Sequence, residues 1–399
     1  SRWISSGDLF VGFNGAGNSM VISNGGSISN AQVNYGGVLG ASAASSNNSV
    51  SVTGSGSAWD SSGDLVVGAS GSGNSMTVSD GASVVNGQVT NGAVVGLNAN
   101  STGNSVLVTG SGSSWNNDGS LTVGMSGSGN SLVVSNGAIV NGAIVDDLGG
   151  VLGYNAGSSN NSGLVTGPGS SWNIYEASIT VGNGGSGNSL VVSNGGHVNT
   201  MNTYISSGAG AADNSVVVTG PGSTLSNGTK MLVGVSGSGG SLVVSDGATI
   251  RSFIGQLGYN AGSSNNSALV TGSGSVWNNP NSYNGITVGV SGGATLTVAN
   301  GGTVNLNGTT LGLTLAENAG STGTLNIGRF GTNDAAGTVS TPKIGFGAGT
   351  GTINFNQSNT VTLSTVISGN GSVNQLGSGT TTLTGNNNYY TGTTTVSAG

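Results

Sequence analysis

A chain of 399 residues with 80 glycines, 4 prolines and no cysteine excludes disulfide staples, thiol catalysis and Cys-based zinc sites. Its 5 basic and 12 acidic side chains give a net charge of −7, which disfavours nucleic acid and anionic membrane as partners, since both need clustered positive charge. No run approaches the ~18 apolar residues that cross a bilayer, so no membrane insertion by this segment is expected.

The chain opens SRWISSGD, without Met, and stops in mid-pattern at VSAG, which predicts a mature fragment or an excised part of a longer protein. Low charge with abundant Gly, Ser and Asn is a composition of disordered chains. Regular Val-x-Val and Leu-Val-Val runs between turn residues are strand signals and argue against disorder.

Two related half-units alternate. One reads LTVGMSGSGNSLVVSNGAIVN from Leu121, and the other GGVLGYNAGSSNNSGLVTGPGSSW, ending at Trp172. In each, a short apolar strand ends in Gly, a Gly/Ser turn and Asn-Ser follow, and a second apolar strand leads to a Gly turn and a last apolar residue. The first kind starts at Leu9, Leu65, Leu121, Ile179, Met231 and Ile286, at intervals of 56, 56, 58, 52 and 55 residues. The second kind ends at Trp59, Trp115, Trp172 and Trp277, with Leu225 in the remaining copy and Trp3 closing a copy whose start is missing.

The superrepeat of about 56 residues is therefore two half-units of about 28. Three short strands per half-unit, such as LTV, LVV and AIV, are too short to stand alone. Repeated in register, they predict an all-β chain: a parallel β-helix, or β-solenoid, with one rung per half-unit and rungs ~4.8 Å apart. The handedness of parallel crossovers makes it right-handed. Asn-Gly, Asp-Gly and Thr-Gly mark corners that need positive φ. The rival, a β-propeller, calls for longer strands and two-residue hairpins.

Two side-chain series recur. Asn precedes the Asn-Ser strand at Asn18, Asn48, Asn74, Asn104, Asn130, Asn161, Asn188, Asn214 and Asn266, interrupted at Gly240 and Ala294, at gaps near 30 and 26. Stacked on one corner, these side chains form a hydrogen-bonded ladder of the cross-β kind. The plainer reading is that Asn tolerates a left-handed surface turn. The row Trp59, Trp115, Trp172 and Trp277 is either an exposed sugar-stacking surface or packing at the core edge, and Leu225 favours packing.

After about Asn305 the grammar changes. Thr replaces Ser on the strands and Trp disappears, while alternation persists in Ile353, Phe355, Val361 and Leu363. This divides the chain into a Gly/Ser/Asn-rich repeat region, 1–305, and a Thr-rich region, 306–399, expected to continue the same solenoid. GSGTTTLTGNNNYYTGTTTVSAG, from Gly377, with INFNQSNTVTLSTVISGNGSVNQLG upstream, resembles the autotransporter-associated β-strand repeat of type V secretion passenger domains. The earlier VTGSGSSWNNDGSLTVGMSGSGNSLVVSNGA resembles a repeat family of the same secreted proteins. The resemblance implies a right-handed β-helix at the outer surface of a Gram-negative cell or released from it, with the translocating β-barrel outside this segment.

Catalytic chemistry finds little footing. His197 is the only histidine and occupies a variable strand position without a fixed partner, so it supports no triad. Asp146-Asp147 is the only adjacent carboxylate pair, and strand neighbours point to opposite faces. Asp8 and Asp64 are equivalent residues two rungs apart, about 9.6 Å in backbone, near the long end for an inverting pair. Asp80 and Asp246 alternate with Asn24, Asn136, Asn194 and Asn300 and are turn residues. No catalytic residue, metal site or cofactor is assigned. The reading is a non-enzymatic extracellular passenger, a rigid stalk or multivalent adhesive surface for cell adhesion or biofilm matrix, with glycans or other copies of itself as partners. The alternatives are a self-assembling fibre subunit and a polysaccharide lyase or hydrolase.

Overall fold

Small residues decide where each strand stops, and the polar side chains beside them decide what stacks on it. The computed structural model describes residues 1–32, 35–142, 148–280, 285–306, 308, 310–386 and 388–398. Among them there is no helix, and the strands pair in parallel, apart from one isolated antiparallel bridge between Ala299 and Ala336. The fold is a β-solenoid, described here as two compact units, Ser1–Met201 and Asn202–Gly399.

A turn of the first unit carries three strands, for example Leu121–Val123, Ser131–Ser135 and Ile139–Gly142. We call these the glycine-ended, Asn-Ser and tryptophan strands. Each lies over its counterpart: Ser105–Thr109 pairs residue for residue with Ser131–Ser135, which pairs in turn with Ser162–Thr166. From Asn18 to Asn188 successive turns are 30, 26, 30, 26, 31 and 27 residues long. Asn-Ser strands alternate in burial, with Leu132 and Val134 inside and Ser131 and Val133 outside. Each buried Leu or Val contributes ~1.5–3 kcal/mol, and every turn adds such a pair.

At one corner, Asn24-Gly25, Asp80-Gly81, Asn136-Gly137 and Asn194-Gly195 all have positive φ, 51° to 56° at the first residue and 72° to 83° at the glycine. This is the backbone of a type I′ turn, which selects Asn-Gly and Asp-Gly. A second corner carries the Asn series. Asn48, Asn74, Asn104, Asn130, Asn161 and Asn188 are fully buried, whereas Asn18 is exposed. The Oδ1 of each of the six accepts both the backbone N–H and the side-chain Nδ2 of the Asn one turn earlier, at 2.8–3.1 Å, from Asn18→Asn48 to Asn161→Asn188.

The ladder explains the glycines. Gly12, Gly40, Gly68, Gly96, Gly124 and Gly153 close the glycine-ended strands at φ 67° to 83°. A Cβ on any of them would fall 2.2–2.4 Å from the Nδ2 of a ladder Asn: Asn48, Asn74, Asn104, Asn130, Asn161 and Asn188 in that order. The second unit contains an exchange at this contact. Ser206, at φ 53°, stands in the glycine position, and Gly240 stands in the matching Asn position. Ser206 Oγ accepts from Asn214 Nδ2 at 3.1 Å, and the Gly240 N–H still reaches Asn266 Oδ1 at 2.9 Å. A Cβ on Gly240 would lie 3.3 Å from Ser206 Oγ, so the serine fills the space that an Asn gave up.

Further along the second unit the corner row continues as Asn266, Ala294, Gly323, Gly351 and Gly371. The amide ladder now stands on the outer face: Asn354 donates to Asn326, and Asn374 to Asn354, both at 3.0 Å. The last of these steps spans only 20 residues. A Cβ on Gly351 or Gly371 would fall 2.3 Å from the Phe346 ring, so an aromatic fills the corner that Asn vacates.

Two predictions follow from the corner. Asn130→Ala strands two buried donors of Asn104 and is expected to cost ~1–3 kcal/mol in denaturant unfolding, whereas Asn18→Ala, at an exposed position, costs less; equal losses would refute the ladder's role. Gly240→Asn alone overpacks against Ser206 and should cost ~1–3 kcal/mol, with most of it recovered in the double variant Ser206→Gly/Gly240→Asn. Losses that add to within ~0.5 kcal/mol would show that the two positions are independent.

Candidate functional site

The four tryptophans lie inside. Trp59, Trp115, Trp172 and Trp277 are each 0% exposed, so the row is core, the alternative that Leu225 favours, and not an exposed sugar-stacking surface. Along the first unit large and small residues alternate: Ile28 stacks on Trp59, Trp59 on Val84, Val84 on Trp115, Trp115 on Val140 and Val140 on Trp172. Gly37, Gly150 and Gly255 make room, since a Cβ there would lie 2.6–2.9 Å from the Cζ2 of Trp59, Trp172 and Trp277 respectively. In the second unit Leu225 replaces Trp, and Thr203 stands at the position of those glycines.

A buried indole N–H needs an acceptor. Trp59 Nε1 donates to Asn30 Oδ1 and Trp115 Nε1 to Asn86 Oδ1, both at 2.8 Å, and Trp277 Nε1 donates to Ser252 Oγ at 3.0 Å. Trp172 Nε1 is buried without a partner. The residue one turn earlier, where Asn30 and Asn86 stand for the other rings, is Gly142.

Asp8 and Asp64 are bound up in backbone contacts. Asp8 Oδ1 accepts from the N–H groups of Tyr35 and Gly36 at 3.1 and 2.9 Å. Asp64, 1% exposed, accepts from four successive amides, Val89, Thr90, Asn91 and Gly92, at 2.8–3.2 Å. Consecutive amides that converge on an anion form a nest, and here the chain's own carboxylate fills it. Strand pairing sets Asp8 beside the Gly36 turn and Gly36 opposite Asp64, so the two carboxylates are two turns apart and each holds the connection one turn on. Asp80 accepts from Thr53 and Ser79, and Asp246 from Thr219 and Ser245, as turn residues. His197 is half-buried on the outward row of the tryptophan strands. Asp146 and Asp147 lie outside the described residues.

A shallow hollow lies over the glycine-ended strands of the first unit. Those strands are buried on both faces, because Val38, Val66 and Val94 point outward yet are covered by Ala41, Ala69, Leu97 and Met125. The connection entering each strand alternates in length. Five, six and five residues separate Asn30 from Gly36, Asn86 from Ala93 and Gly142 from Leu148; two, three and three separate Ser61 from Asp64, Asn117 from Leu121 and Ile174 from Ser178. The connection that leaves the strand is longer in the same turns. The short turn at Leu121–Val123 sits beside the long connection that carries Gln88, Thr90 and Asn91, and a notch opens there. The notch over Leu121–Val123 is a hollow of about 190 Å³. Gln88, Thr90 and Asn91 line it from one long connection, Ser120, Thr122 and Met125 from the short turn, and Leu148, Val151 and Tyr154 from the next long turn.

A second amide ladder, not foreseen from the sequence, runs outside the tryptophan strands: Asn141 donates to Asn116, Asn173 to Asn141 and Asn199 to Asn173, at 2.7–3.0 Å. Its sequence signal is Asn immediately after the inward Trp or Val.

No family model matches the sequence, and no curated protein matches it significantly. Among solved structures the chain is similar to a hyper-glycosylated TibA fragment whose modification TibC catalyses, at 17% identity and a TM-score of 0.47, with 99% of this chain and 100% of that one covered.

The orphaned indole yields a test. Gly142 has an ordinary backbone, and a Cβ there would meet nothing closer than 3.5 Å. Gly142→Asn should give Trp172 its acceptor and stabilise the chain by ~1 kcal/mol, read as a raised denaturation midpoint. No gain, or a loss, would show that the Asn–indole pair does not transfer to this turn.

Proposed function

We propose that the chain is a non-enzymatic structural and adhesive scaffold displayed outside a Gram-negative cell, a stalk that works through its lateral surface. The observation that carries this reading is the commitment of Asp8 and Asp64. The two carboxylates best placed for an acid–base pair are spent on loop amides, whose geometry leaves them as anchors. General acid–base work needs a free, positioned proton carrier. The outer rows of the Asn-Ser strands are Ser, Thr, Val and Leu, and those of the tryptophan strands carry the Asn ladder, so the sides offer many weak neutral contacts and little charge. Such a surface gains avidity from number rather than from one deep site. The resemblance of the sequence to autotransporter passenger repeats points the same way.

Beads coated with the chain should be retained on surfaces bearing a neutral polysaccharide, and retention should fall more steeply than in proportion as coating density is lowered. Shortening of that polymer on prolonged incubation would make the chain an enzyme and overturn the proposal. So would the absence of retention at any density.

A further inference from the structure

The notch over Leu121–Val123 has a definite chemistry. The geometry points to a binding site for one neutral hexopyranose ring, resting on the scaffold reading above and naming its partner class. At about 190 Å³ the hollow is smaller than the ~300–1,000 Å³ of drug-sized sites, so it takes a single ring of a saccharide rather than a length of chain.

Its lining suits that ring. Tyr154, half-buried, supplies an aromatic surface for the apolar C–H face of a pyranose, and Met125 and Val151 extend it. Gln88 and Asn91 bring side-chain amides, and Thr90, Ser120 and Thr122 bring hydroxyls, groups that both donate and accept as sugar hydroxyls do. None of the described lining residues carries a formal charge. Thr122 is only 2% exposed and forms the floor, at the position that Val66 and Val94 fill in the preceding turns. The same row carries Thr180 two turns on, so a hydroxyl is a recurrent choice at this level, and at Thr122 it borders the hollow.

The site is also built to stay in place. Asp64 fixes Val89, Thr90, Asn91 and Gly92 by their backbone amides, which leaves the side chains of Thr90 and Asn91 to the hollow. Ser120 Oγ ties the short turn to Asn91 O at 3.2 Å. Pre-ordered walls reduce the entropy lost on binding.

Saturation-transfer NMR on the whole chain, with the methyl pyranosides of glucose, galactose and mannose as probes and glucosamine and glucuronate as charged controls, tests this. At least one neutral methyl pyranoside should bind saturably in the millimolar range, with affinity insensitive to salt. Tyr154→Ala should weaken it at least ~10-fold and Thr122→Val, which keeps the shape of the floor, several-fold, while Tyr175→Ala, an exposed tyrosine outside the hollow, should not change it. The inference falls if no neutral pyranoside binds, if only a charged sugar does, or if binding survives both Tyr154→Ala and Thr122→Val. Bead retention separates the two readings. Retention of the wild type without sugar binding in the notch removes this site and leaves the scaffold; sugar binding without retention removes the scaffold and leaves the site.

Discussion

Each turn of the first unit hangs on one contact, an asparagine side chain seated where a glycine has no Cβ. The Asn closes two hydrogen bonds to the turn before it, and the glycine provides both its space and the left-handed backbone that ends the strand. Neither residue can change alone. Gly→Ala adds a Cβ into the amide at a φ that L-residues avoid. Asn→Ala strands buried donors, a larger penalty than the hydrogen bond itself contributes. The exchange of Ser206 for glycine and Gly240 for Asn respects the constraint by moving the side chain from one partner to the other.

That contact recurs every turn, whereas the connections around the hollow recur every second turn. The two periods separate stability from variation. Inward rows change size only in compensating pairs, as Gly37 and Gly150 against the indoles of Trp59 and Trp172 show. The chain between the tryptophan strand and the glycine-ended strand changes length freely, because it lies outside the ladder and is held by separate anchors such as Asp64. Walls on loops over a fixed floor are a common way for a rigid scaffold to carry recognition.

The strands, the corners and the Asn row were legible in the sequence because the copies serve as controls on one another. A position that reads Asn in turn after turn while its neighbours drift reports a side-chain partner that also repeats. The direction of the tryptophans was legible only in part, through Leu225 in their row. Trp can end a half-unit as core or as surface, and the deciding signal, Gly37 and Gly150 on the glycine-ended strand of the same turn, has meaning only once the register is known. Asp64 was ambiguous for another reason: its partners are backbone amides, which leave no trace in residue identity. The hollow was written in the Asn intervals of 30 and 26 residues, which record long and short connections in alternation. The change of grammar near Asn305 likewise follows the corner, where Ala294 takes the place of Asn and the amide ladder is later rebuilt outside on Asn326, Asn354 and Asn374.

The same stacking accounts for the scarcity of charge and, through it, for the kind of partner the sides can hold. A side chain repeated in register meets its own copy at ~4.8 Å. Like charges at ~4 Å repel by ~1 kcal/mol in water and by several times that near a protein surface. Amides and hydroxyls have no such conflict, since each donates to one neighbour and accepts from the other, as Asn116, Asn141, Asn173 and Asn199 do in sequence. Where carboxylates do recur, as Asp8 and Asp64, they skip a turn and are held by backbone amides. A fold that stacks identical positions therefore selects neutral polar side chains on its flanks. The flanks present amides and hydroxyls, and the sugar site proposed above would draw on that same neutral surface.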